Sequence, residues 1–79
     1  MTTRDIVLDT LVDIIGVEEV RQNLDLQLYD LGLLDSFRTV ELMVVLSDRL
    51  GRDISPAEFD REQWATPRAM INNLDKNIL

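Results

Sequence analysis

The stretch from residue 36 to residue 50 is apolar on two sides of the helix that its residue spacing predicts. One side is formed by Thr39, Leu42, Met43, Leu46 and Leu50. The opposite side carries Phe37, Val44 and Val45 next to the acids Glu41 and Asp48, with Val40 at the margin. A chain of 79 residues buries only about 60% of its unfolded surface, so complete burial of such a helix is hard to arrange. We therefore predict that one face packs on the core and the other remains open to a partner.

A first helix is predicted over residues 3–15. Its broad apolar face is formed by Val7, Leu8, Leu11, Val12, Ile14 and Ile15. Thr2 and Asp5 stand three residues apart, which is the spacing of a capping box, and Gly16 provides a C-terminal stop. The start and the end of this helix are therefore both marked in the sequence.

Two more helical segments are predicted in the C-terminal third. A capping serine, a proline and a glutamate in residues 55–58 indicate a short helix that carries Phe59 inward. Thr66 and Pro67 repeat the pattern of cap and proline and start the last helix. The apolar stripe of that helix consists of Met70, Ile71, Leu74 and Ile78.

Residues 17–35 form a long connection between the first two long helices. Leucines alternate with polar residues over residues 24–28, but we reject a strand there because the chain offers no strand to pair with it. We predict an extended loop pinned to the core by its leucines, with a helical turn around residues 18–22 and a tight turn at Gly32. The whole chain, residues 1–79, is thus expected to be one all-α domain. We predict a small four-helix bundle with three long helices and one short helix.

The composition leaves few routes to catalysis. The chain has no cysteine and no histidine, which excludes thiolate and imidazole chemistry and the usual metal sites built from those ligands. The carboxylates lie on a solvated helix face or in loops, without the apolar cover that raises a pKa. Calcium loops and glycine-rich phosphate loops are also absent from the sequence. We expect a protein that is not an enzyme and has no metal site of its own.

The net charge of −7 is expected to repel nucleic acid and to favour basic partners, although acidity also serves simply to keep a small domain in solution. The first residues lack the basic and apolar regions of a secretory signal, and no apolar run is long enough to span a bilayer. We therefore expect a soluble, cytoplasmic monomer.

Ser36 is the candidate functional residue, and it opens the helix with two apolar faces. A serine at this position is most often only a helix cap. Here, however, it follows Asp35 and a loop turned by Gly32, and it begins a helix with an apolar and acidic outer side. A phosphate on Ser36 would gain about 0.3–1 kcal/mol from the helix dipole. Both interpretations, cap and attachment point, stay open on these residues alone.

Two stretches of the sequence resemble known carrier proteins. The run from Gly32 to Phe37, with Thr39 to Leu42 after it, resembles the prosthetic-group site of acyl and peptidyl carrier proteins. A second stretch is similar to the D-alanyl carrier proteins of the teichoic-acid D-alanylation system, and it comprises Glu58, Phe59, Asp60, Arg61, Trp64, Thr66 and Pro67. Arg38 departs from the family pattern, in which a small residue or an acid is common. The resemblance covers the whole chain and implies an acyl-carrier type of helical bundle.

The resemblance also implies a set of roles. Ser36 would receive 4'-phosphopantetheine from coenzyme A through a phosphopantetheinyl transferase, and Asp35 would help to position magnesium in that transfer. An adenylating ligase would load an aminoacyl group, D-alanine in the D-alanyl carrier proteins, onto the thiol of the arm. The carrier would then deliver it to a membrane O-acyltransferase for the modification of lipoteichoic acid in the cell envelope.

The outer face of the second long helix is predicted to dock partners, with apolar contacts surrounded by acids that attract a basic rim. The residues assigned to this role are Phe37, Val40, Glu41, Val44 and Asp48. Val40 is equally well explained as a residue covered by the loop or by the short helix. Two alternatives remain, namely a carrier of another amino acid or acyl group and an unmodified helical adaptor. Trp64 and Phe59 are expected to be core anchors.

Overall fold

The computed structural model describes residues 2–51, 53–54 and 61–76, and within these ranges the chain is all-helical, without strands. The described residues form three α-helices, which are α1 (Thr3–Ile15), α2 (Ser36–Leu50) and α3 (Pro67–Lys76). The same part of the chain contains two short 3-10 helices, which span Glu18–Arg21 and Arg61–Trp64. The all-α class is thereby confirmed. The short helix predicted after Ser55, with Phe59, and the stripe residue Ile78 lie outside the described residues.

The ends of the helices follow local rules. The Thr2 hydroxyl accepts from the Asp5 amide at 3.2 Å, and the Asp5 carboxylate accepts from the Thr2 amide at 3.4 Å, which completes the predicted capping box. Gly16 and Gly51 end α1 and α2 in the left-handed conformation, at φ 71° and 69°. At the start of α3, the Thr66 hydroxyl accepts from the Ala69 amide at 3.1 Å.

The core lies where α1 packs on α2 and α3, and where α3 packs on the second 3-10 helix. Trp64 is 1% exposed and is the largest fully buried side chain, so its predicted role as a core anchor is confirmed. The helices contribute Val7, Leu8, Leu11, Leu42, Met43, Leu46, Met70, Ile71 and Leu74. The long connection contributes Val20, Leu26, Leu28 and Leu34. Burial of these side chains is what holds three short helices together.

The connection between α1 and α2 is tied to the start of α3. The Leu28 amide donates to the Ala65 carbonyl at 2.9 Å, and the Arg68 amide donates to the Leu24 carbonyl at the same distance. The Arg68 side chain also pairs with Asp25 at 2.8 Å. This hydrogen-bonded ion pair lowers the pKa of Asp25 and raises that of Arg68. The connection is thus a folded part of the domain, supported by backbone bonds as well as by leucines.

Candidate functional site

The candidate site is the start of α2, which Asp35 caps. Asp35 has an extended backbone, at φ −138° and ψ −175°, and its Oδ1 accepts from the Arg38 amide at 2.8 Å. The capping role that the sequence left open for Ser36 therefore belongs to Asp35, the residue before it. Ser36 is the first residue of α2, and its side chain is not needed to cap the start of the helix.

The Ser36 side chain is exposed. Among the described residues, none is hydrogen-bonded to its hydroxyl group. The Ser47 hydroxyl, by contrast, donates to the Met43 carbonyl at 2.8 Å and accepts from the Ile54 amide at 3.0 Å. Of these two serines on α2, only Ser36 presents its oxygen to solvent without a competing bond.

A compact turn precedes the site. The Leu28 carbonyl accepts from the amides of Leu33 and Leu34, at 2.9 Å and 3.1 Å. Gly32 allows this turn because it adopts φ 73°, a left-handed conformation that residues with a Cβ rarely take. Leu34 is buried directly before the cap, so that the chain enters α2 from a fixed point on the core.

Two hydroxyl groups stand next to the turn, of which Thr39 belongs to the motif identified in the sequence and Tyr29 does not. The Tyr29 hydroxyl lies 2.7 Å from the Thr39 hydroxyl, and the Thr39 hydroxyl donates to the Asp35 carbonyl at 2.6 Å. Thr39 is buried, and its position was predicted on the core face of the helix. Its spacing of four residues after the cap was a usable indication, because helical threonines often donate to the carbonyl four residues earlier. Nothing in the sequence pattern pointed to Tyr29.

The outer side of α2 is exposed along its length. Phe37 is 80% exposed, Val44 64% and Val40 55%, and the side chains of Glu41 and Asp48 are exposed as well. Val40 is therefore not covered by the loop, whereas Val45, also predicted on this side, is half-buried. Ser36 and Val40 stand four residues apart and share one side of the helix. The exposed apolar residues thus begin next to the Ser36 hydroxyl.

An open depression lies at the far end of this surface. It is lined by Val44, Ser47, Asp48, Gly51 and Asp53. Two of these residues are acids, so the depression combines an apolar wall with negative charge. Arg38, at the other end of α2, is exposed and donates to the Leu33 carbonyl at 3.4 Å.

The residues at the start of α2 fit a covalently bound phosphate group. The Ser36 side chain is exposed, and it lies at the end of α2 where the helix dipole is positive. No cluster of acids that could hold a metal ion occurs among the described residues. No α-helix in the described ranges is both long enough and apolar enough to cross a membrane.

Comparison with known proteins agrees with this geometry. Residues 5–74 match the family described as phosphopantetheine attachment site. The chain is similar to the D-alanyl carrier protein of Lacticaseibacillus rhamnosus, with 44% identity over 70 residues that cover 89% of this chain and 86% of the relative. It is also similar to the D-alanyl carrier proteins of Enterococcus faecalis and Listeria monocytogenes, each 43% identical over 75 residues, or 95% of this chain and 96% of the relative.

Proposed function

The chain belongs to the D-alanyl carrier proteins, within the phosphopantetheine attachment family, and from this membership we propose that it carries activated D-alanine on a phosphopantetheine arm attached to Ser36. An adenylating ligase loads the amino acid, and a membrane O-acyltransferase receives it for the modification of lipoteichoic acid. The carrier works in the cytoplasm as a monomer. It is a substrate of these enzymes and has no catalytic residue of its own.

Attachment uses the Ser36 oxygen as the nucleophile. The Oγ of Ser36 forms a bond to the phosphorus that bears the pantetheine of coenzyme A. The bond from that phosphorus to the nucleotide half of coenzyme A breaks, and the hydroxyl proton leaves to a base of the phosphopantetheinyl transferase. The exposure of Ser36 and its lack of a hydrogen-bond partner among the described residues support this role. The proposal rests on these two properties of Ser36.

Asp35 contributes to the transfer with the carboxylate oxygen that takes no part in the cap. Its Oδ1 is engaged by the Arg38 amide, and the side chain as a whole is exposed. Oδ2 is therefore available to a magnesium ion that the transferase brings together with coenzyme A. One carboxylate would thus hold the helix start with one oxygen and help to place the metal with the other.

When bound, the arm supplies a terminal thiol on which an aminoacyl group is held as a thioester, a group that this chain, without cysteine, cannot provide itself. The residues of the chain supply a rigid base for it. The cap at Asp35 and the buried Leu34 hold the first residue of α2 against the domain. The positive end of the helix dipole favours the phosphate, by about 0.3–1 kcal/mol.

The exposed side of α2 is proposed to be the surface on which the partner enzymes dock. Phe37, Val40 and Val44 would enter an apolar pocket of the partner, and Glu41 and Asp48 would pair with a basic rim. The net charge of −7 would speed the approach of a basic enzyme. Because these residues begin beside Ser36, a docked enzyme would have its active site close to the arm.

The attachment is tested by the intact mass of the protein after coexpression with a broad-specificity phosphopantetheinyl transferase. We expect a gain equal to one phosphopantetheine in the wild type and in Ser47→Ala, which removes the other described serine of α2. Ser36→Ala should gain nothing. A wild type without the adduct, or an adduct that persists in Ser36→Ala, would refute the proposal and favour an unmodified helical adaptor.

The cargo is tested separately with the modified protein. The D-alanine adenylating ligase of a related organism is incubated with ATP and with D-alanine, L-alanine or a fatty acid, and the loaded mass is recorded. Selective loading of D-alanine is expected. Loading of an L-amino acid or a fatty acid at a similar rate would show that the chain carries another group, while the attachment at Ser36 would still stand.

A further inference from the structure

The start of α2 is held by a relay of two hydroxyl groups. Thr39 has one hydroxyl proton, and its Oγ1 donates that proton to the Asp35 carbonyl at 2.6 Å. The Tyr29 hydroxyl, 2.7 Å from the same Oγ1, must therefore be the donor of the bond between them. The relay runs from Tyr29 through Thr39 to the backbone of the residue that precedes Ser36.

The relay ends on a carbonyl that is bonded twice. The Asp35 carbonyl also accepts from the Thr39 amide, at 2.9 Å. Because the Tyr29 hydroxyl donates to Thr39, it polarises the Thr39 hydroxyl and strengthens the bond to Asp35. The peptide between Asp35 and Ser36 is thus fixed by groups from the connection as well as by α2 itself.

The backbone at Tyr29 is itself held in place by hydrogen bonds. Its carbonyl accepts from the Gly32 amide at 3.0 Å, and the amide of its neighbour Leu28 donates to Ala65 at 2.9 Å. The relay therefore connects the attachment serine with the start of α3, and it uses one side chain, Tyr29, to cross between the connection and α2.

We propose that Tyr29 is a positioning residue for the attachment reaction, acting through Thr39 and the Asp35 carbonyl to set the direction of the Ser36 oxygen. The inference rests on the proposed function of Ser36. Direction matters because the oxygen must approach phosphorus in line with the leaving group, and a small misplacement slows such a transfer strongly. Docking, by contrast, is assigned to the exposed side chains of α2, whereas the relay ends on the backbone carbonyl of Asp35, so the relay acts on the transfer step and not on binding.

The test is the rate at which a broad-specificity phosphopantetheinyl transferase modifies Tyr29→Phe, which loses only the hydroxyl oxygen. We expect kcat to fall about 3- to 10-fold, with KM for the carrier unchanged. Hydrogen exchange in the unmodified protein provides a second measurement. The Thr39 amide, bonded to the Asp35 carbonyl, should exchange faster in Tyr29→Phe, whereas the Met70 amide at the start of α3 should not.

Thr10 offers a matched control for Thr39. Its buried hydroxyl also donates to the carbonyl four residues earlier, at 2.7 Å, and accepts from a distant side chain, Arg49, at 3.0 Å. Thr39→Val should lower kcat at least as much as Tyr29→Phe, and Thr39→Ser should retain the wild-type rate because it keeps the hydroxyl. Thr10→Val should leave kcat unchanged.

The outcomes distinguish the proposed attachment at Ser36 from the proposed positioning role of Tyr29. A wild type that gains no phosphopantetheine refutes the proposed function of Ser36, and the exchange measurement then still decides whether Tyr29 orders the start of α2. A wild type that is modified at Ser36, together with a Tyr29→Phe variant of equal kcat, overturns the positioning role alone. An equal loss of kcat in Thr10→Val would mean general loosening of the fold, and it too would overturn the role.

Discussion

The Arg49 guanidinium reaches from α2 to α1 and donates to the buried hydroxyl of Thr10 at 3.0 Å. The same group pairs with Asp13 at 2.7 Å. One side chain thus joins the two longest helices through a buried hydroxyl and an exposed carboxylate. The two bonds differ in environment, and their contributions to stability should differ accordingly.

Removal of both bonds should cost more than removal of the exposed one. Arg49→Met keeps the length of the side chain but loses both partners, and we expect the free energy of unfolding to fall by about 0.5–1.5 kcal/mol. Asp13→Asn removes only the exposed ion pair and should cost about 0.3 kcal/mol. Urea unfolding of the two variants measures the difference. Equal losses would mean that the bond to Thr10 contributes little.

A lower pH should weaken the ion pair between Asp25 in the connection and Arg68 in α3. The pKa of Asp25 is lowered because its carboxylate is hydrogen-bonded to Arg68. A carboxylate with a lowered pKa in the folded state stabilises it fully above its ordinary pKa of 3.8, and that contribution is lost as the pH falls through the folded value. Asp25→Asn should therefore be less stable than the wild type at pH 7, and the difference should vanish at lower pH. Parallel pH curves would refute this.

The two roles of Asp35 should separate in a pair of substitutions. Asp35→Ala removes the cap and should lower stability by about 0.5–2 kcal/mol. Asp35→Ser restores a capping oxygen and should recover most of that loss. Both variants lack the carboxylate and should be modified more slowly at limiting magnesium, as followed by mass. If Asp35→Ser is modified at the wild-type rate, the carboxylate serves the cap alone.

The opposite sides of α2 should respond differently to truncation. Leu46 is fully buried, so Leu46→Ala should cost about 2–5 kcal/mol through lost burial and a cavity. Val44 is exposed, and Val44→Ala should change stability by less than about 0.5 kcal/mol. Denaturant unfolding measures both. In the docking hypothesis Val44→Ala also raises the KM of the loading ligase, and an unchanged KM would exclude Val44 from the docking surface.

Reversal of two charges on α2 should slow loading without unfolding the protein. Glu41→Lys with Asp48→Lys is expected to lower kcat/KM for the ligase about tenfold at low salt, because the basic rim of the partner would meet like charge. The thermal midpoint should hardly change, since both side chains are exposed. Glu18→Lys with Glu19→Lys changes the net charge equally, on the first 3-10 helix, and should have a much smaller effect. Equal effects would indicate that only total charge matters.

Local features of the fold were predictable from the sequence. The capping box of Thr2 and Asp5, the stop at Gly16 and the start of α3 at Thr66 depend on residues within one helical turn, so their spacing encodes them. The burial of Trp64 also followed from its size. Ser36 could be proposed as the attachment point because its neighbours form a short continuous motif.

Side-chain hydrogen bonds between residues far apart in the sequence were not predictable. The bonds of Tyr29 to Thr39 and of Arg49 to Thr10 join segments whose relative placement depends on the packing of the whole core. Periodicity identifies which face of a helix is apolar, but it does not say which polar side chain crosses to a neighbour. For the same reason Asp35 and Ser36 could not be assigned the roles of cap and first helical residue before the geometry was known.

The backbone bonds between Leu28 and Ala65 and between Leu24 and Arg68 join the connection to a later segment, which the ribosome makes after the site itself. The turn before Ser36 therefore gains its full support only after α3 has been synthesised and has docked. A transferase that requires this turn would modify chains in which α3 has docked and would pass over shorter nascent ones. The topology would thus make the attachment of the arm a check on complete folding.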